Sequence, residues 1–213
     1  MVGHISEFFA HVFNENVILA TVLISILPII EVRGAIPFGT NSSIWGNIAL
    51  TNWESFLWSL IGSSAIVPVI ALLFIPIINW LKRTKLFKKM ATSIENRIAS
   101  KASSITNSDQ NSKIKKMSYW KKFIAVFVFV SIPLPLTGVW TGTCVAIFLG
   151  LDFLSTCISV IGGNIVAGLV ITLILEFFPW LNNWLLWIFL ALVIVVALYE
   201  IVKFLIKKHK AHN

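Results

Sequence analysis

The sequence predicts an all-α integral membrane protein built from two inverted repeats. Each repeat is a re-entrant broken-helix hairpin followed by a spanning helix, and one extra spanning helix lies at the C-terminus. Three observations carry this. Hydrophobic residues make up 57% of the chain and charged residues 12%, unlike a soluble domain of this length. Ser55, Ser59, Ile61, Gly62, Leu73, Trp80 and Leu81 recur 100 residues later as Ser155, Ser159, Ile161, Gly162, Leu173, Trp180 and Leu181. Each copy follows an apolar run broken by proline, at Ser25-Ile26-Leu27-Pro28 and at Ser131-Ile132-Pro133-Leu134-Pro135. Duplicated membrane units with broken helices are a transporter architecture.

The elements follow in order. Ile5, Phe8, Phe9, Val12 and Phe13 share one helical face, which fits an amphipathic surface helix or the start of a long first helix. Residues 17–30 and 123–136 are apolar runs of 14 residues each. At 1.5 Å per residue each reaches about 21 Å, short of a hydrocarbon core of about 30 Å. Each run then meets polar, Gly or Pro positions, so each is expected to enter partway, turn and leave, lining a buried or wet path. Residues 55–81, 153–178 and 184–206 are long enough to span. Pro68 and Pro76 are potential kinks in the first of these. Gly162, Gly163, Gly62, Ser63 and Ser64 permit close helix approach. The units are therefore 1–81, 82–122, 123–181 and 182–213.

The chain carries 17 Lys and Arg against 9 Asp and Glu. Twelve of the 17 lie between Lys82 and Lys122, four between Lys203 and Lys210, and Arg33 stands alone. Clustering beside apolar spans is the positive-inside pattern and argues against nucleic-acid binding. It puts the loop and the C-terminus in the cytoplasm of a multi-pass cell-membrane protein, and the N-terminus outside. Within the loop, Leu86, Met90, Ile94, Ile98 and Ile105 suggest a second surface helix over about 86–105, and 106–116 a polar linker. These charges suit anionic lipid. No Lys or Arg precedes the first apolar run, so no secretory signal is expected. Cys144 and Cys157 lie in apolar stretches without a nearby His, so neither a disulfide nor a metal site is expected. No cofactor motif is present.

Glu31 and Arg33 are the leading site candidates, because ionisable groups at membrane depth are costly and usually functional. Arg33 can hold an anion through its guanidinium fork, while Glu31 neutralises it or carries a proton. A structural ion pair is the alternative, although a gap of two does not favour pairing on a regular helix. Gly34 and Pro37 complete this tip. Pro133, Pro135, Thr137, Gly138, Trp140 and Gly142 form the matching one, where bared backbone and a hydroxyl can meet substrate. Asn164 lines the path or bonds a neighbouring helix. Asp152 fits a helix N-cap.

At Glu31-Val32-Arg33-Gly34-Ala35-Ile36-Pro37 and at Pro133 through Gly142 the sequence resembles the small multidrug export protein family, over roughly residues 17–181. The paired broken hairpins are also similar to the DedA/VTT membrane proteins. That likeness implies re-entrant segments and translocation of lipid-carrier phosphates or phospholipids.

The expected function is a small membrane transporter, an exporter or lipid-phosphate flippase. It would hold an amphiphilic, anionic substrate between two tips near the midplane, with protons as a coupling ion. A re-entrant channel and a non-transporting scaffold are the alternatives; an enzyme is not expected, since no nucleophile with a base is visible. Membrane lipids are the expected partners, and a homodimer is compatible with so small a unit. A charge swap, Glu31→Arg with Arg33→Glu, is expected to spare a structural bridge and abolish a directional site.

Overall fold

The computed structural model describes residues 12–13, 15–82, 119–134 and 137–185, with 187–189, 191, 195, 198–199 and 203 beyond them; the side chains of 78–82 lie outside the description. The described residues are helical, with no strand among them. Helix α1 spans Val17–Ile26, α2 Glu31–Gly39, α3 Ser42–Trp45, α4 Asn52–Lys82, α5 Tyr119–Ser131, α6 Val139–Phe148 and α7 Phe153–Phe177.

Helix α1 starts at Asn16, whose side chain accepts the Leu19 N–H at 2.9 Å. It stops two residues before Pro28, which lacks the N–H that continuation needs. The chain then turns back, because Gly39 near the end of α2 packs directly on Thr21 of α1. The second hairpin folds back in the same way. Lys122 at the start of α5 donates to the Leu149 carbonyl after α6 at 2.7 Å, and Gly142 packs on Val130. In both places, consecutive helices thus form an antiparallel pair.

The irregular backbone falls earlier in the first hairpin than the sequence suggests. Glu31 through Pro37 is helical rather than an open tip, and the break lies at Leu27–Ile30. Ile29 has φ 85° and Glu31 φ 49°. Neither residue is a usual left-handed former, and such positions cost about 1–3 kcal/mol each. The surrounding packing holds them there.

Helices α4 and α7 form the frame. Asp152 caps α7 as expected, its carboxylate accepting the Ser155 N–H at 3.1 Å, and that bond holds its pKa below the ordinary Asp value. Helix α4 runs through both Pro68 and Pro76. The apolar parts of the two helices, Asn52–Ile77 and Phe153–Phe177, contain 26 and 25 residues. They reach about 39 and 37 Å, enough to cross a bilayer. They run antiparallel. Asn52 bonds Glu176 at 2.7 Å, Phe56 packs on Gly168, and Asn164 bonds Ser63 at 2.8 Å. Their outer faces expose Leu57, Ile61, Leu72 and Leu73 on α4, and Leu154, Ile158, Leu173 and Phe177 on α7.

All nine residues of α2 are buried. The C-terminal segment contributes to this cover. Asn182 donates to Thr40 at 3.2 Å, Asn41 donates to Asn183 at 2.9 Å, Leu185 joins Val32, Ile36, Phe56, Ile171 and Leu175, and the Phe189 ring lies against Gly34. Helix α6 is buried less completely. Val139, Gly142, Thr143, Ala146 and Ile147 are buried, whereas Trp140, Thr141, Cys144 and Phe148 are half-buried and Val145 is 37% exposed. The expected N-terminal surface helix (Val12 and Phe13 aside), the loop helix over 86–105 and the linker 106–116 lie outside the described residues. Much of the expected span 184–206 does too.

Candidate functional site

A broken helix leaves carbonyls without partners at one end and N–H groups at the other. The two hairpins satisfy these groups for each other. Arg33, 1% exposed, reaches from α2 to the end of α5. Its Nη2 donates to the carbonyl of Val130 at 2.7 Å, with longer contacts to Ile132 at 3.3 Å and Thr137 at 3.4 Å. Its Nη1 donates to Glu31 Oε2 at 2.7 Å. Glu31, 4% exposed, points its other oxygen at the start of α6 and accepts the Trp140 N–H at 3.1 Å. In return the Trp140 indole Nε1 donates to the carbonyl of Ile26, the last residue of α1, at 3.0 Å.

The charges match the helix dipoles. A cation sits at the carbonyl end of α5 and an anion at the amide end of α6. Each charge is also balanced by the other, which a buried ion requires. The gap of two residues between Glu31 and Arg33 can close because Glu31 leaves helical geometry at φ 49°. One donor of the guanidinium, Nε–H, is buried with no hydrogen-bond partner among the described residues.

Gly138 completes the site. It precedes α6 directly against the ion pair, and an added Cβ would overlap the Glu31 carboxylate and crowd Arg33 Nη1. Only glycine leaves room for the acid at the helix end. The half-buried Thr137 has its hydroxyl engaged within the second break, shared between the carbonyls of Ile132 and Leu134, both at 2.8 Å.

Of the sequence candidates, Glu31, Arg33, Gly138 and Trp140 come together, and Thr137 adds its carbonyl. Gly34 instead packs on Phe189, and Gly142 on Val130. Pro37 is buried inside α2, and Pro133 lies in the second break. Pro135 lies outside the described residues. Asn164 donates to Ser63, with a 3.4 Å contact to Ser64, so it joins two helices at their crossing. The carbonyls of Val130 and Ile26 were not legible as site groups. The signal available for them was the proline break, which strands the last carbonyls of each preceding helix.

Trp140→Phe keeps the ring and removes the indole donor. A lost hydrogen bond to this half-buried carbonyl costs about 1 kcal/mol, so a slightly lower melting temperature in detergent is expected. An unchanged melting curve would show that the Ile26 carbonyl finds another partner at no cost.

Two interlocked helical hairpins on two apolar helices of spanning length define an all-helical membrane protein. The chain belongs to the small multi-drug export protein family: the family model described as "Putative small multi-drug export protein" matches residues 31–170, a stretch holding every candidate site residue. No curated protein and no solved structure matched in the corresponding comparisons.

Proposed function

We propose that the protein is a small proton-linked transporter that moves an amphiphilic anion, with a phosphate-bearing lipid as its substrate class. The head group binds where the two hairpin tips meet. The observation that carries this is the position of the Glu31 carboxylate. It lies at the N-terminus of α6, on the Trp140 N–H and against Arg33, a setting that suits any small anion. Glu31 acts there as a built-in stand-in for the substrate head group. A phosphate that displaces it meets donors from both hairpins, including the spare Nε–H of Arg33. Protonation of Glu31 removes the competing charge, which links proton uptake to substrate entry.

The same reading makes the two repeats inverted and the hairpins re-entrant. Helices α4 and α7 are antiparallel, and Ser64 meets Asn164, its own counterpart 100 residues on. An axis in the membrane plane through that crossing relates the two halves. Helices of nine to 13 residues reach about 14 to 20 Å, short of the bilayer thickness, so the tips meet near the midplane. The basic loop and tail are then cytoplasmic and the N-terminus external. The family's export label supports transport over catalysis.

A scaffold role is favoured by one fact, the bonding of Arg33 to three carbonyls. The charge swap does not separate the two readings. The bridge has a direction, because Glu31 serves N–H groups and Arg33 serves carbonyls, so even a purely structural bridge fails when reversed. Binding of inorganic phosphate to purified protein separates them. Glu31→Gln is expected to tighten it about tenfold, or about 1.4 kcal/mol, and Arg33→Lys to weaken it. Phosphate binding indifferent to both residues, or cationic drug binding that ignores Arg33, overturns the anion reading.

A further inference from the structure

Helix α4 carries a row of buried hydroxyls that the ion pair does not use. Ser55, Ser59 and Ser63 stand at i, i+4 and i+8 on one face, fully buried, as are Thr21 and Ser25 on α1. The row starts one turn inside the half-buried Asn52 and covers about 12 Å. Helices α1 and α4 run parallel along it. A Cβ added to Gly39 would stand 2.6 Å from the hydroxyls of both Thr21 and Ser55, and Gly62 lies against Ser25. At the far end Ser63 donates its proton to the Ser59 carbonyl at 2.7 Å. Its bond with Asn164 of α7 must therefore use the amide N–H, which leaves the Asn164 Oδ1 bare. That oxygen has no partner among the described residues, and neither have the hydroxyls of Thr21 and Ser59. Close helix approach explains small residues here. It does not explain three unpartnered oxygens, because buried polar atoms are ordinarily bonded. Asn164 also adjoins Gly163, which packs on Val130, and the Val130 carbonyl is held by Arg33. Arg33 adds the unpartnered donor Nε–H. Water satisfies such a mixed set of donors and acceptors, whereas a metal cation takes oxygens alone.

We propose that this row is a hydrated path, the route by which Glu31 exchanges its proton with the side on which α4 begins. The inference rests on the proton-linked reading above and adds a route and a side, the external one in the topology proposed there. Water held by Thr21, Ser59 and Asn164 continues the line of serine hydroxyls to the ion pair. Each hydroxyl or water accepts one proton as it passes one on, so the row ends unchanged and the Glu31 carboxylate becomes the acid. Among the described residues, Glu31 meets one charged group, Arg33, and the main-chain N–H of Trp140 from α6. The hydroxyls of the row are neutral throughout, so Glu31 is the group that holds the proton.

Silver-ion blocking of single introduced thiols tests the path in the full-length protein, reconstituted in phosphatidylcholine vesicles. Ag+ is small enough to follow water through a narrow path, and Cys144→Ala with Cys157→Ala removes both native thiols. Ser59→Cys and Ala71→Cys each place a thiol at a fully buried position of α4. The two positions lie about 10 Å from opposite ends of the apolar span, but Ala71 packs among Phe74, Ile75 and Ile147. Ser59→Cys should be blocked about tenfold faster than Ala71→Cys or more, because an ion entering dry packing loses its hydration. Thr21→Val, which keeps the shape and deletes one unpartnered hydroxyl, should slow the blocking of Ser59→Cys and leave Ala71→Cys unchanged. Equal rates at the two positions overturn the path, and the phosphate measurements above still decide the anion site on their own. A Ser59→Cys rate indifferent to Thr21→Val overturns the side of entry. Fast blocking combined with phosphate binding indifferent to Glu31→Gln overturns the proton route and reduces the row to a wet seam.

Discussion

Arg33→Ala is expected to be the most damaging single substitution in the chain, lowering stability by about 3–5 kcal/mol. The truncation leaves the Glu31 carboxylate buried without its cation, and breaking one side of a buried pair costs that much. It also strips the donor from Val130 at the end of α5, so carbonyls of a broken helix are stranded away from water. At roughly 2–4 °C per kcal/mol for a chain of this size, the melting temperature in detergent should fall by about 10 °C. Removing both charges should do less harm than removing one. Glu31→Leu with Arg33→Met replaces two desolvated ions by apolar bulk, a change that is often neutral. If the single and the double variants melt together, the pair is not what holds the tips. Transport should be lost in both, because neither retains the anion anchor.

Gly138→Ala is the second large effect, and it acts without deleting any partner. The new methyl group would stand where the Glu31 carboxylate is. The acid must leave the start of α6, which gives up both its Trp140 N–H bond and its contact with Arg33. A loss of about 3 kcal/mol or more is expected, the scale of a broken buried pair. A double-mutant cycle identifies the cause. In a Glu31→Ala background the obstruction is gone, so Gly138→Ala should add less than about 0.5 kcal/mol. Additive costs would instead mean that Gly138 matters for the backbone of the second break.

The all-helical plan with two apolar helices of spanning length was legible for definite reasons. Small residues marked where the long helices meet their neighbours: Gly62 lies against Val22 and Ser25 of α1, Gly163 against Phe127 and Val130 of α5, and Ser63 bonds Asn164 across the two long helices. The solitary Arg33 was conspicuous because every other basic residue lies in one of two clusters. Asp152 announced its cap by chemistry alone. The details of the tips were hidden. Ile29 and Glu31 take positive φ although their side chains give no such preference, so the break could not be placed before Glu31. The groups that Arg33 and Trp140 bind are main-chain carbonyls, which every residue carries and no residue type marks. The cover that Phe189 provides for Gly34 joins positions far apart in sequence, with only an aromatic and a glycine to suggest it.

The reciprocal capping has a consequence for how the protein is made. The bonds that complete the first hairpin come from residues 97 to 114 positions later. At about 5–20 residues per second of synthesis, the ribosome needs roughly 5–20 s to deliver them. During that interval the α1–α2 hairpin holds an acid, a guanidinium and an uncapped helix end, none of which hydrocarbon tolerates. The nascent first half must therefore stay in a hydrated setting, at the translocation machinery or the headgroup layer, until Val139 and Trp140 emerge. On the proposed re-entrant arrangement, the two halves are expected to insert together, once the second has arrived.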